Sequence, residues 1–101
     1  MILEGVLVKI VSINQDGVIL AIPEDKNILN IIMGYQADRV PIVGNRIKIK
    51  RNKRTQDLDI EPYIGKYARC IIELKKYNLN DRVTKERIKI LILHLLQIDI
   101  V

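Results

Sequence analysis

Residues 67–77 alternate between two sets of side chains that suit two different environments. Successive side chains of a β-strand point to opposite faces of the sheet, so each set would occupy one face. The even-numbered set is apolar and suits a protein core: Ala68, Cys70, Ile72, Leu74. The odd-numbered set places tyrosines between charged residues: Tyr67, Arg69, Ile71, Glu73, Lys75, Tyr77. The segment therefore predicts a strand with one buried and one solvent-exposed face.

The C-terminal run, residues 87–101, carries apolar side chains on both faces of a strand. The even-numbered face is apolar almost from end to end: Ile88, Ile90, Ile92, His94, Leu96, Ile98, Ile100. The odd-numbered face has leucines at its centre: Leu91, Leu93, Leu95. A strand is favoured, and its leucine face then needs cover from a helix of the same chain or from a second subunit. A helix over residues 85–96 is the alternative, because apolar residues also recur there at helical spacing.

The N-terminal half of the chain reads as a series of short strands. Residues 2–13 are rich in β-branched side chains, and residues 18–22 resume the apolar run after the turn signal Asp16-Gly17. This pattern predicts a hairpin. Residues 44–50 alternate between isoleucines and cations, which predicts a strand with a basic outer face. The Ile-rich segment 24–40 fits either a short helix or a short strand.

Length and composition restrict the class of protein. The chain has 101 residues, enough for one domain with a single core, and its formal charge of +5 favours an anionic partner. The single cysteine, Cys70, falls on an apolar face and suits a reducing compartment. Neither a signal peptide nor an uninterrupted apolar stretch of membrane-spanning length is present. We therefore expect no membrane partner and a soluble intracellular protein, in the cytoplasm or in the nucleus or replication site of a host cell.

A dense cluster of positive charge covers the basic strand and the loop after it. Six cations lie within nine residues: Arg46, Lys48, Lys50, Arg51, Lys53, Arg54. Lysines on an exposed strand also protect its edge from aggregation, which is the structural alternative. The density of charge favours contacts with phosphates, and the tyrosines among the cations of residues 67–77 offer rings on which bases stack. Together the two segments predict a nucleic-acid-binding surface.

Two stretches of the sequence resemble OB-fold proteins. One is YIGKYARCIIELKKYNL, which with a polar loop and RIKILILHLLQIDIV resembles the last hairpin of OB-fold proteins that bind single-stranded DNA, particularly small viral and phage replication proteins. The other is EGVLVKIVSINQDGVILAIPED with VGNRIKIK, which is similar to the first strands of OB domains, including S1-type domains and a bacterial translation initiation factor. The resemblance implies a mainly-β fold: one OB-like domain over residues 1–101, a small five-stranded Greek-key barrel with at most one short helix.

The resemblance also implies a function and a set of binding residues. The function is non-enzymatic binding of single-stranded DNA, favoured over RNA, which coats and protects exposed strands during replication or repair. The binding face would comprise these side chains: Arg46, Lys48, Lys50, Tyr67, Arg69, Lys75, Tyr77. The chain departs from the family in having four tyrosines but no Phe or Trp, so a single copy should bind weakly. A homo-oligomer assembled through Leu91, Leu93 and Leu95 would compensate.

Other functions stay open on the sequence alone. Two are binding functions: an S1-like or initiation-factor-like RNA-binding domain, and a protein-interaction OB module of a replication or translation assembly. Asp59 followed by Glu73 and Lys75 also resembles the metal-binding arrangement of a nuclease family, but the chain has too little helical sequence for that fold. His94 is expected to be buried or partly buried, and one His with one Cys makes no zinc ligand set. We therefore expect no catalytic residue, metal or cofactor.

Overall fold

Six β-strands, one α-helix and one 3-10 turn make up the structure, a computed structural model that describes residues 1–101. The strands are β1 Ile2–Ile13, β2 Val18–Pro23, β3 Ile42–Val43, β4 Arg46–Arg51, β5 Tyr67–Asn80 and β6 Arg87–Ile100. The helix α1 is Asn27–Met33, and the 3-10 turn is Glu61–Tyr63. The prediction of a mainly-β fold is confirmed. Of the two ambiguous segments, the first contains the helix, and the C-terminal one is a strand.

Five of the strands close into a ring in the order β1-β2-β4-β6-β5. β1 pairs antiparallel with β2 on one side and with β5 on the other, and β2 pairs antiparallel with β4. β5 pairs antiparallel with β6, and the ring closes where β6 runs parallel to β4. β3 has two residues and pairs with β4 alone. The fold is therefore the small OB-type Greek-key barrel that the sequence predicts.

Aliphatic side chains fill the interior of the barrel. The core cluster contains 17 buried residues, most of them Ile, Leu and Val. The predicted core face of β5 is confirmed by side chains that are at most 2% exposed: Ala68, Cys70, Ile72, Leu74. α1 adds Ile28 and Ile32 to the cluster, because residues four positions apart lie on the same side of a helix.

A β-bulge in β6 changes which of its side chains are buried. Ile71 of β5 pairs with Gln97, but the next residue, Ile72, pairs with Leu95. Leu96 is therefore an extra residue, and the alternation of side chains changes phase there. The uninterrupted period of two that the sequence predicts for residues 87–101 does not hold across the bulge.

The leucines of β6 are consequently part of the barrel core. Leu91, Leu93 and Leu95 are at most 1% exposed. The even-numbered face from Ile88 to Ile92 lies instead on the outer surface and is only partly buried. The prediction that the three leucines form the interface of a homo-oligomer is wrong, because the barrel of the same chain already covers them.

The hairpin of β5 and β6 continues beyond the barrel. The pairing of β5 with β1 ends at Glu73, whereas the pairing of β5 with β6 continues to Asn80. Residues 75–80 of β5 therefore have no neighbouring strand on their outer edge. On the β6 side of the same hairpin, Arg39 forms a parallel bridge with Ile90. The segment between α1 and β3 thus lies alongside the projecting part of β6.

Candidate nucleic-acid interface

The outer face of β4 presents three exposed cations, Arg46, Lys48 and Lys50. They point outward because Ile47 and Ile49, which alternate with them, are at most 1% exposed and lie in the barrel core. None of the three belongs to an ion pair, since the one ion pair of the molecule lies on β5. Their charges are therefore available to an anionic ligand.

Strand register places side chains of β6 and β5 on the same outer surface as these cations. Lys50 of β4 pairs with His94 of β6, which in turn pairs with Glu73 of β5. Residues paired across neighbouring strands share a face of the sheet. Two further pairs follow on that face: Ile92 with Lys75, and Ile90 with Tyr77. We call this surface the basic face and define it by Lys48, Lys50, Lys75, Tyr77 and His94.

Tyr77 and His94 contact each other on the basic face. The Tyr77 Oη lies 2.9 Å from the His94 Nε2, and the ring centroids are 5.9 Å apart with planes inclined by 70°. Partial burial lowers the pKa of His94, and the positive charges of Lys75 and Lys50 lower it further. The imidazole is therefore mostly neutral at pH 7, and the Tyr77 hydroxyl and the His94 Nε2 share one hydrogen bond. This contact fixes the position of the Tyr77 ring. The Tyr77 side chain is nevertheless 37% exposed.

Tyr67 and Arg69, which the sequence placed on the same binding surface, lie apart from the basic face. Tyr67 is ten residues from Tyr77 along β5, about 33 Å of extended strand. It pairs with Lys9 of β1. The carboxylate of Glu24 raises the pKa of the Tyr67 hydroxyl, first by accepting its hydrogen bond and then through its charge. Tyr67 and Tyr77 therefore do not form one stacking platform, and Tyr67 has an acidic neighbour.

The cations at the end of β4 and in the following loop differ in their contacts. Arg51 donates hydrogen bonds to the carbonyl oxygens of Gly17 and Leu58, so its guanidinium joins the β1–β2 turn to the loop. Lys53 and Arg54 are exposed in that loop and extend the positive surface beyond β4. Arg51 thus has a structural role, whereas the other two cations are exposed.

Arg39 is a cation close to the basic face that the sequence does not indicate. Its carbonyl oxygen accepts a hydrogen bond of 3.0 Å from the Leu91 N–H, and the Pro41 carbonyl accepts one of 2.9 Å from the Lys48 N–H. The segment that contains Arg39 is thus bonded to both β6 and β4. Only the tertiary fold brings it there, so no pattern in the sequence marks it. Ile90 lies beside it, and the sequence does not single it out because it belongs to the continuous apolar set of residues 87–101.

The remaining reactive side chains form no second site. Burial raises the pKa of the Cys70 thiol to about 12, which keeps it protonated in the core. Glu73 and Lys75 form an ion pair at 3.5 Å, and Asp59 accepts a hydrogen bond from the backbone N–H two residues further on. No three side chains of His, Cys, Asp or Glu cluster as ligands for a metal ion. None of the helical segments has the length and apolar character needed to cross a membrane.

Comparisons with known proteins add no relative from which a function could be transferred. No protein-family model, curated protein or solved structure matches this chain. The barrel and its basic face are therefore the basis on which the function is inferred.

Proposed function

We propose that this protein binds single-stranded DNA along the basic face and catalyses no reaction on it. One observation carries the proposal: Lys48 and Lys50, which have no acidic partner, share an outer surface with the exposed ring of Tyr77. Positive charge beside an exposed aromatic ring is the combination that a single strand requires, since its phosphates need cations and its unpaired bases need apolar contacts.

The lysines of the basic face supply the phosphate contacts. Lys48 and Lys50 are unpaired. Lys75 is exposed in its ion pair with the partly buried Glu73, so water screens this pair and a phosphate can compete with the carboxylate. Each phosphate of a single strand that is neutralised contributes about −0.7 to the slope of log K against log salt. Three lysines predict a slope of about −2. Further cations on and beyond β4 lengthen the positive track: Arg46, Lys53, Arg54.

The base contacts explain why a single strand is preferred. The face of the Tyr77 ring and the partly exposed Ile90 and Ile92 are apolar surfaces beside the lysines. A duplex keeps its bases stacked and paired inside, so these side chains gain little from it. Tyr67 and Arg69 would contact only a strand long enough to reach the other end of β5. A strand held along this face is shielded from re-pairing and from nucleases.

The experiment is a fluorescence anisotropy titration of labelled oligo-dT with three proteins: the wild type, Lys50→Ala and Lys26→Ala. Both substitutions remove one exposed positive charge, but Lys26 precedes α1 and lies off the basic face. We expect Lys50→Ala to weaken binding and to make the salt slope shallower by about 0.7, and Lys26→Ala to change neither. Equal effects of the two substitutions would contradict the assignment of the face. Absence of binding at low salt would contradict the function and favour the protein-interaction module.

A further inference from the structure

A groove opens on the outer surface between β4 and β6, next to the basic face. The two strands pair directly only at residues 49–51 and 93–95. Beyond this short pairing, residues 39–41 fill the gap between them, hydrogen-bonded to both strands. The groove encloses about 230 Å³. Pockets for drug-sized ligands measure about 300 to 1,000 Å³, so this one fits a single small ring system.

The groove combines apolar walls with a cationic rim. Its walls include Val18 of β2, Val40, and the outward-facing Ile90 and Ile92 of β6. The rim consists of three cations: Arg39, Lys48, Lys50. None of these cations belongs to an ion pair. The site is thus complementary to a ligand in which a flat, largely apolar ring is joined to an anionic group. An inorganic anion would leave the walls unused, and a hydrocarbon would leave the cations unused.

We propose, resting on the function proposed above, that this groove receives one unstacked base of the bound single strand. The rim cations hold the phosphates on either side of that base, and the branched side chains of Ile90 and Ile92 pack against its ring. Such a pocket accounts for base contacts in a chain that has no Phe or Trp. It gives the protein a second base-binding position besides the ring of Tyr77.

The two base positions are close enough to serve one strand. Ile90 lines the groove and pairs with Tyr77 across the hairpin. Neighbouring strands of a sheet lie about 4.8 Å apart, so the groove and the tyrosine ring are adjacent on the surface. Lys48 and Lys50 line the groove, and Lys50 pairs with His94, which contacts the Tyr77 ring. The groove therefore continues the track of the basic face.

The test pairs protein variants with two labelled probes, oligo-dT and an abasic oligomer of equal length. The abasic oligomer keeps the phosphates and lacks the bases. We expect Ile92→Ala to weaken the binding of oligo-dT by about fivefold or more and to leave the abasic oligomer unaffected. The matched control is Ile100→Ala, which truncates an exposed isoleucine at the far end of β6 and should change neither affinity.

A second measurement needs no variant. In a titration of the wild-type protein with thymidine monophosphate, the methyl NMR signals of Ile90 and Ile92 should shift and saturate, while that of Ile100 stays in place. Suppose that oligo-dT binds the wild type, but that Ile92→Ala weakens the binding of both probes equally or of neither. The groove is then not a base pocket, although the proposed function stands. If oligo-dT does not bind at all, the proposed function fails, and absence of methyl shifts would then overturn the pocket as well.

Discussion

Truncation of Leu93 tests whether the leucines of β6 form the core of the barrel. Leu93 is 1% exposed and pairs with Leu74 of β5 and Ile49 of β4, which are themselves at most 2% exposed. Because hydrogen-bonded strands hold β6 on both sides, the backbone cannot collapse into the space that a smaller side chain leaves. Leu-to-Ala substitutions in protein cores cost about 2 to 5 kcal/mol, and we expect Leu93→Ala to lower the free energy of unfolding by more than about 3 kcal/mol.

The matched control is Ile92→Ala, which removes as many carbon atoms from the next residue of the same strand. Ile92 faces outward and is only partly buried, so its truncation should cost about 1 kcal/mol. Urea unfolding followed by circular dichroism measures both losses, provided that the m-values stay equal. Sedimentation equilibrium gives the mass of each protein. Equal losses of unfolding free energy in the two variants would refute the assignment of the leucines to the core. A small loss for Leu93→Ala, together with a lower mass than that of the wild type, would also refute it and would indicate that the leucines form an interface between subunits.

Three further predictions concern the turn, the loop after β4 and the histidine. Gly17→Ala should lower the free energy of unfolding by about 1 to 2 kcal/mol in urea melts, because Gly17 has φ +77° and an added Cβ would contact the Arg51 guanidinium. Thr55→Val should cost about 1 to 3 kcal/mol and Thr55→Ser much less, because the buried Thr55 hydroxyl donates to the Leu95 carbonyl at 3.0 Å. The pKa of His94 is lower in the folded protein than its usual 6.5, so the unfolded chain takes up the proton more readily. Stability should therefore fall as the pH drops below about 6.5, and urea melts of His94→Gln should show a smaller fall.

The sequence predicts those strands whose alternation is uninterrupted. Ile47 and Ile49 on β4 and the apolar set of β5 are buried as their spacing indicates. β6 differs because both of its faces are apolar, so periodicity alone cannot choose the buried one. The choice depends on the bulge at Leu96, which is a property of the pairing with β5. The helix was equally ambiguous from sequence, since its isoleucines fit either period over so short a segment.

The candidate site is predictable in part for a similar reason. Lys48 and Lys50 follow from local alternation, which fixes the face of a strand on which a side chain lies. Their proximity to Tyr77 depends on the register of three strands, and Arg39 reaches β6 from an irregular segment. Tyr67 was grouped with Tyr77 because both lie on one face of β5, although the length of the strand separates them. Sequence patterns therefore indicate faces, while register and strand length decide which residues meet.

The most direct test of single-strand binding is the affinity of the wild-type protein for oligo-dT, oligo-rU and a duplex of equal length, measured by fluorescence anisotropy at low and at physiological salt. We expect oligo-dT to bind more tightly than the duplex and than oligo-rU. We also expect the logarithm of the affinity for oligo-dT to fall with the logarithm of the salt concentration at a slope of about −2. Binding to the duplex as tight as to oligo-dT, or no binding to oligo-dT at low salt, would contradict the proposal that this barrel holds single-stranded DNA.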